Sequence, residues 1–458
     1  MRLTVVDIIG LLVLVSLGCL QHSTHAQDNG QQILAYTLAQ DSQFTLAAGS
    51  TLGFSKVITH IGPDTDFNFP GVFTSPADGI YKFQVYSTTS SSEIWLELYK
   101  NQELVASLFG SSYNDWANSG NAVVMLLSQG DEISVQSNSK ADVALYGSSD
   151  MTFNTFSGVR LVSANVTDTA VAFSVTLTSH KTFLPGYTIL YDKFLLNQGS
   201  GYNTDAGVFT APVAGVYIFH FFSLAQTNES IWQDLYHNSE YICSLSGQSM
   251  NNRAGAGNTA ILYLRYGDTV QVKAKRTNKL FGEASQIYST FSGILIVPES
   301  FVSIGSKSAI AFSAGLTRSV TIPANSMVVF NRIFINLQHA FDQRTGNFTA
   351  PVEGLYEFNV HAQAQSNHRA WFDLYRNTQI VVTLRANILY PSNTPNLMHG
   401  TAGNSVIIQL QVGDSVYLRA RYNNYYETSV LYGAHDQVHC TFSGYLIAPT
   451  YTGLPFVG

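Results

Sequence analysis

The stretch "AHDQVHC" places His435, Asp436, His439 and Cys440 within six residues, all side chains that can bind a transition metal. On a helix His435 and His439 would share a face. On a strand they would also share one, but about 13 Å apart, too far for one ion. A loop leaves the question open, so no metal ligands are assigned. Two other stretches suit stacking on a sugar ring with hydrogen bonds to its hydroxyls: "SSYNDWANSG", with Tyr113, Asp115, Trp116 and Asn118, and "YNNYYET", with Tyr422, Asn423, Tyr425 and Tyr426. An aromatic ring supplies apolar area and amides supply directional contacts. Tyr113, Trp116, Tyr422 and Tyr425 are therefore the candidate ligand-binding residues; the alternative is that these aromatics cover the ends of the fold. Asn165, Asn228 and Asn347 begin glycosylation sequons. Asn165 and Asn228 are the expected sites, because Asn347 falls inside a repeated, ordered phrase. No GxSxG, HExxH, CxxC, P-loop or dinucleotide fingerprint occurs, and Ser, His and Asp are scattered without a catalytic frame. An enzyme is not expected.

The elements that would position these residues come in three copies. "GVFTSPADGIYKF" starts at Gly71, "GVFTAPVAGVYIF" at Gly207 and "GNFTAPVEGLYEF" at Gly346, 136 and then 139 residues apart. Around them recur "AYTL", "AFSV" and "AFSA"; "IWLELYKN", "IWQDLYHN" and "AWFDLYRN"; "GNAVVMLLSQGD", "GNTAILYLRYGD" and "GNSVIIQLQVGD"; and a closing "TFSG" at Thr155, Thr290 and Thr441. Five markers in fixed order mark tandem duplication, and the period is domain-sized rather than solenoid-like. The expected units run 32–164, 168–300 and 306–450. Unit 3 is longer between its Trp and its TFSG, in two stretches that read as surface loops.

The local pattern is that of strands. Tyr356, Phe358 and Val360 alternate with Glu357, Asn359 and His361, and Tyr81, Phe83 and Val85 with Lys82, Gln84 and Tyr86, so one face is apolar and buried. "YIFHFF" in unit 2 is apolar on both faces apart from His220. Gly79, Gly215 and Gly354 are expected to permit a bend or an unusual φ; Pro76, Pro212 and Pro351 belong at turns. The Gly-Asp pairs at 130, 267 and 413 read as hairpin turns. Without helical periodicity, the fold class is all-β, an antiparallel sandwich in three tandem copies.

These residues resemble the globular head domain of complement component C1q, a fold shared with the tumour necrosis factor family. Unit 3 carries the signature at Phe330, Asn336, Phe341, Phe348, Gly354, Tyr356 and Phe358, with Val360 where an aromatic is usual. Unit 2 carries it at Tyr191, Asn197, Tyr202, Phe209, Gly215, Tyr217, Phe219 and Phe221. Unit 1 keeps Phe54, Phe67, Phe73, Gly79, Tyr81 and Phe83, with His60 at the Asn position. The resemblance covers nearly the whole chain after its first thirty or so residues. It implies a ten-stranded jelly roll of two sheets, with heads that associate as trimers, and recognition of microbial surfaces, extracellular glycans or lipopolysaccharide in innate defence. It implies no organic cofactor, and calcium as the metal some relatives bind near the trimer axis or in apical loops; no Asp cluster here identifies such a site. A signalling or matrix-assembly protein that binds a receptor or scaffold protein is the alternative. No collagen-like Gly-X-Y repeat occurs.

Bulk composition agrees with an exported recognition module. Charged residues are 12% of the chain and the net charge is −7; no Lys/Arg stripe suggests nucleic acid. Residues 1–26, with Arg2, the apolar run Leu11–Leu20 and Thr24-His25-Ala26, read as a secretory signal cut after Ala26 rather than a membrane anchor, and no later stretch is expected to span a membrane. Cys243 and Cys440 sit in different units, so buried thiols are expected, with a bridge between domains or chains as the alternative. Asp, Glu, Lys and Arg give residues 27–164 a net −8, 165–303 a net −1 and 304–458 a net +2. Three heads in one chain could form an intramolecular pseudo-trimer, the joining segments reaching roughly 26 Å and 40 Å when extended; a homotrimer of chains is the competing assembly.

Overall fold

The computed structural model describes residues 33–450 except 64–66, 69–70, 91–92, 112–115, 164–169, 249–251, 388–398 and 423–426; the proposed signal lies outside them. Each repeat builds the same sandwich. In unit 1 one five-stranded antiparallel sheet runs Lys56–Ile61, Ala35–Gln40, Asn154–Ser163, Gly79–Thr89, Ala117–Leu127. The other runs Phe67–Asn68, Val72–Thr74, Glu132–Ser137, Ile94–Lys100, Glu103–Gly110. A two-stranded ribbon, Phe44–Leu46 with Val143–Leu145, closes one end. Units 2 and 3 repeat this order strand for strand, which makes the fold the expected jelly roll. The second connection contains a short helix, Glu299–Ser303.

Aromatic signature residues fill three sandwich interiors. In unit 3, Phe312 stacks on Phe341 at 4.6 Å and meets Phe442 edge-on at 4.9 Å, within a cluster that includes Phe330, Phe348, Tyr356 and Phe358. Aromatic pairs at such distances add to the area they bury. The signature Tyr is a Tyr rather than a Phe for one reason in all three copies. Its hydroxyl donates to the carbonyl four residues back: Tyr81 to Ala77 (2.7 Å), Tyr217 to Val213 (2.6 Å), Tyr356 to Val352 (2.6 Å). This ties each Pro-containing turn to the strand after it. The signature Asn also works locally. Asn336 donates to Phe341 O and accepts from Phe341 N, as Asn197 does with Tyr202. His60 takes the same register opposite Tyr36 in unit 1.

Two local expectations change. Gly79, Gly215 and Gly354 are all needed for close approach, and of the three only Gly215 also takes the unusual φ, +157°. Each faces a β-bulge, and a Cβ there would lie 2.4, 2.5 and 2.6 Å from the carbonyls of Val162, Val297 and Ala448. The Gly-Asp turns at 130, 267 and 413 are not hairpins, because the strands they join belong to opposite sheets. Their glycines do take positive φ, +89°, +83° and +87°.

A larger difference concerns the alternating strand. Every residue of Gly79–Thr89, Gly215–Leu224 and Gly354–Gln363 is buried, on both faces. One face fills its own sandwich; the other meets the other two units, so that residues 34–458 make one compact body around a shared axis. The polar members of the alternation, which a lone sandwich would turn to water, are the axis of this assembly.

Gly354→Ala should lower stability by about 1–3 kcal/mol through overpacking, because backbone and Leu446 close around the site. Gly413→Ala, with no atom within 4 Å of the added carbon, should cost only the left-handed strain, about 1 kcal/mol. Denaturant unfolding of the two variants would order them; equal losses would mean that close approach is not what selects glycine at 354.

Candidate functional site

Pseudo-equivalent positions on the three axial strands hold different residues. Successive axis-facing levels are Ile80, Val216 and Leu355; Lys82, Ile218 and Glu357; Gln84, His220 and Asn359; and Tyr86, Phe222 and His361. Ile80 and Val216 of the first level join an apolar cluster that includes Val124, Ile261, Ile294 and Tyr445, and Leu355 is buried as well. At the second, Lys82 Nζ lies 2.6 Å from Glu357 Oε1, both side chains 1% exposed. Tyr445 completes the pair, its hydroxyl accepting from Lys82 at 3.0 Å and donating to Glu357 Oε2 at 3.1 Å. Gln84 and Asn359 also donate to Glu357 Oε1. Burial pushes the Lys82 ammonium down from its ordinary value, and Glu357 pulls it back up.

A hydrogen-bonded chain then crosses all three units. Gln84 Nε2 meets His220 Nε2 at 3.3 Å, His220 Nδ1 meets Thr259 Oγ1 at 2.9 Å, and Thr259 Oγ1 meets His361 Nε2 at 3.0 Å. Burial holds His361 down at about 3; burial also pushes His220 well below its ordinary value, with Lys82 and His361 adding repulsion. Above lies a triangle of rings, Tyr86, Phe222 and His361, with centroids 6.1–6.2 Å apart. Gly120, Gly257 and Gly403 lie beneath the rings. A Cβ at Gly257 would overlap Phe222 at 2.0 Å, so the triangle requires these glycines. Past the rings is a cavity of about 40 Å³ walled by all three units, with Ser223, Ser246 and Gln363 among its polar groups. This is room for about one water.

Three seams radiate from the axis, and each is closed by the recurring "GN" and "TFSG" markers. Thr290 Oγ1 donates to Asn121 Oδ1 (2.6 Å), Thr441 to Asn258 (2.6 Å) and Thr155 to Asn404 (2.7 Å), running unit 2 to 1, 3 to 2 and 1 to 3. The Asn amides donate across the same seams to the carbonyls of Tyr288, His439 and Phe153. Farther out the seams differ. Lys275 bridges Asp234 (3.5 Å) and Asp436 of unit 3 (3.1 Å). Arg421 bridges Asp373 (3.1 Å) and Asp150 of unit 1. The unit 1 counterpart, Glu97, instead accepts from Asn138 and Tyr99. Desolvation raises the Asp234 and Asp373 carboxyls above the usual range, against the pull of their cations.

The candidate ligand residues are not brought together. Trp116 is half-buried against Tyr146 and Phe153, with the Arg385 guanidinium of unit 3 4.1 Å from its ring centroid. Tyr422 is 57% exposed. Tyr113, Tyr425 and Asn165 lie outside the described residues. Asn228 is exposed at a turn with φ +64°, while Asn347 is half-buried and bonds Thr349 and Ser415. The "AHDQVHC" residues separate: Asp436 pairs with Lys275, His439 is buried against Trp232 at 5.5 Å, Cys440 bonds the Tyr432 carbonyl, and His435 is exposed. Among the described residues no cluster of three or more His, Cys, Asp or Glu could hold a metal ion, and no helix is long and apolar enough to cross a membrane. Cys243 and Cys440 are buried free thiols, the latter pushed up to about 12 by burial.

Comparison with known proteins follows the same division of the chain. A family model for the C1q domain matches residues 35–161, 172–296 and 311–447. Complement C1q tumor necrosis factor-related protein 6 of Mus musculus is 32% identical over 142 residues, covering 30% of this chain and 49% of that protein. The collagen alpha-1(X) chain of Mus musculus is 32% identical over 123 residues, covering 27% and 16%. The chain thus spans about half the length of the first relative and less of the second. Among solved structures, the globular domain of zebrafish complement 1qA protein aligns at TM-score 0.25 and 22% identity, over 28% of this chain and 98% of that one. Eiger TNF from S. frugiperda aligns at TM-score 0.26 and 13% identity, over 32% and 99%.

Lys82→Met should cost about 3–5 kcal/mol, because it leaves Glu357 buried without its cation, whereas Lys82→Met with Glu357→Leu should recover most of the loss. Denaturant unfolding reads both; a neutral single variant would mean that the pair is hydrated in solution. The buried histidines set the acid response. His220, His361 and His439, the last also held at about 3, stay neutral when folded but bind protons when unfolded below pH 6.5. Stability is therefore full above that pH and declines as pH falls toward 3, by ~1.4 kcal/mol per pH unit for each histidine. Unfolding midpoints should be level from pH 8 to 7 and drop steeply from 6 to 4. His439→Gln should flatten the slope, and a slope unchanged in that variant would contradict the assignment.

Proposed function

Because this chain belongs to the C1q domain family in each of its three units, we propose that it is a secreted, non-enzymatic recognition protein that works as a single-chain trimer of heads. Its ligands are extracellular or microbial surface molecules, carbohydrate and lipopolysaccharide first, in innate defence. The observation that carries the single-chain reading is the Lys82–Glu357 pair. Three copies of unit 1 around one axis would converge three Lys82 side chains, and three copies of unit 3 would converge three Glu357. Only unlike units neutralise each other. Joining the units also makes assembly intramolecular, with linkers setting a high effective concentration.

The recognition reading is supported by the surface left after assembly. The motif residues that recur in all three units are spent on cores and seams, so ligand contacts fall to loops that differ among heads, with Tyr422 exposed on one of them. A rigid body carrying three unlike heads suits several weak contacts that add through avidity. Light scattering on the purified protein should give the mass of one chain, near 50 kDa before processing or glycan; three times that value would overturn the single-chain assembly. A panel of bacterial polysaccharides and lipopolysaccharides should show specific, saturable binding. Silence on the panel, with a protein captured from extracellular fluid, would favour the receptor or scaffold reading instead.

A further inference from the structure

The three seams are built from equivalent strands, so each serves as a reference for the others. At the outer rim between units 2 and 1, Lys193, the first residue of Lys193–Gln198, lies 3.3 Å from Glu103, the first residue of Glu103–Gly110. Between units 3 and 2 the counterparts Arg332 and Glu240 are 3.1 Å apart. Between units 1 and 3 the base is kept as Lys56, but the acid is replaced by Gln379. Among the described residues Lys56 forms no ion pair, and beside it the rim holds a cleft of about 220 Å³. Ser149, Asp150, Thr152, Tyr375 and Thr378 contribute to its walls. Asp150 is already engaged by Arg421, which lowers its carboxyl below the usual range after the Ser148 hydrogen bond.

The geometry points to this cleft as a binding site for an acidic sugar residue, a uronic or sialic acid, whose carboxylate occupies the place that Glu103 and Glu240 fill in the other two seams. Lys56 supplies the charge that the ligand must match. Hydroxyls of Ser149, Thr378 and Tyr375 offer donors and acceptors for ring hydroxyls, and the Ile380 side chain offers an apolar wall. The volume suits one sugar residue rather than a buried chain, so a polysaccharide would present a terminal or protruding acid. An exposed ion pair of this kind is weak alone, which fits a site that acts by avidity. This assignment rests on the recognition reading above and gives that reading a location and a ligand charge.

Saturation-transfer NMR on the full protein tests it with galacturonic acid, N-acetylneuraminic acid and galactose as probes. One or both acids should bind saturably, at least tenfold tighter than galactose, and the acid that binds identifies the ligand class. Lys56→Gln should abolish the signal. Gln379→Glu, which installs the ion pair of the other seams, should abolish it as well without lowering the unfolding temperature. Galactose binding as tightly as the acids, no acid binding, or acid binding unchanged in Gln379→Glu would each overturn the site. If polysaccharide binding persists in Lys56→Gln, the site fails and the recognition reading stands. Lys56-dependent binding of an acid, with silence on the polysaccharide panel, would sustain the site and remove the broader reading.

Discussion

A buried ion pair between the first and third units organises the assembly. In a three-fold homotrimer every axial side chain meets two copies of itself. Like charges about 4 Å apart repel by about 4 kcal/mol at an effective dielectric of 20, and desolvation adds several kcal/mol per ion. A Lys at that level is therefore tolerable only if a neighbour is acidic and the third side chain is neutral. Lys82, Glu357 and Ile218 meet that condition, with Tyr445 satisfying both charged groups. Such a pair contributes little net stability over an apolar replacement. Its effect is on specificity, because wrong combinations of units are penalised far more than the right one is rewarded.

The seams divide the same labour differently. Asn121, Asn258 and Asn404, with Thr290, Thr441 and Thr155, form the same contact three times. They would close a homotrimer as readily as this chain and say only that units associate. Order is imposed by positions where the copies have diverged: Lys275 between Asp234 and Asp436, Arg421 between Asp373 and Asp150, and the uncharged Asn138 with Glu97. Duplication supplied the common contacts, and each copy could then change its axial and rim residues without a matching change in the other two. The cleft at Lys56 arises from that freedom, since loss of one acid at one rim leaves the other two pairs intact.

Much of the fold was legible in the sequence because its determinants are local or repeated. Aromatic spacing marked the sandwich interiors, and the three-fold recurrence of each marker fixed the number of units. The seam residues were visible as well, but their meaning was not. "GN" and "TFSG" recur whether they serve a core or an interface, and only the pairing of Asn121 with Thr290 assigns them. The alternating strand misleads for a related reason. Period two separates an apolar face from a polar one, and the polar face of Glu357, Asn359 and His361 reads as solvated until two further sheets are placed against it. The one copy that breaks the alternation, "YIFHFF", held the clue, since a strand apolar on both faces must be covered on both. The glycines at 79, 215 and 354 read as sites of a bend or an unusual φ because a sequence shows no approaching carbonyl. Trp116 illustrates the same limit: a loop aromatic flanked by Asn and Asp has a sugar-site composition, and nothing in it foretells Arg385 arriving from another unit.

The histidines of the axis extend the logic of the ion pair without further charge. The Gln84 amide can only donate to His220 Nε2, so the His220 proton resides on Nδ1 and is given to Thr259. The Thr259 hydroxyl then donates to His361 Nε2. The chain has a direction, from unit 1 through unit 2 to unit 3, and each member is satisfied only while both imidazoles are neutral. A proton on His220 would set an N–H against the Gln84 amide, in a site where Lys82 already repels it. Burial therefore does more than depress these imidazoles; it selects one tautomer of each, and with it one arrangement of three unlike units. A symmetric axis could close a ring of identical donors and acceptors, as the Asn–Thr contacts do around the seams, but it could not hold this open chain, whose Gln84 end in unit 1 and His361 end in unit 3 are different groups.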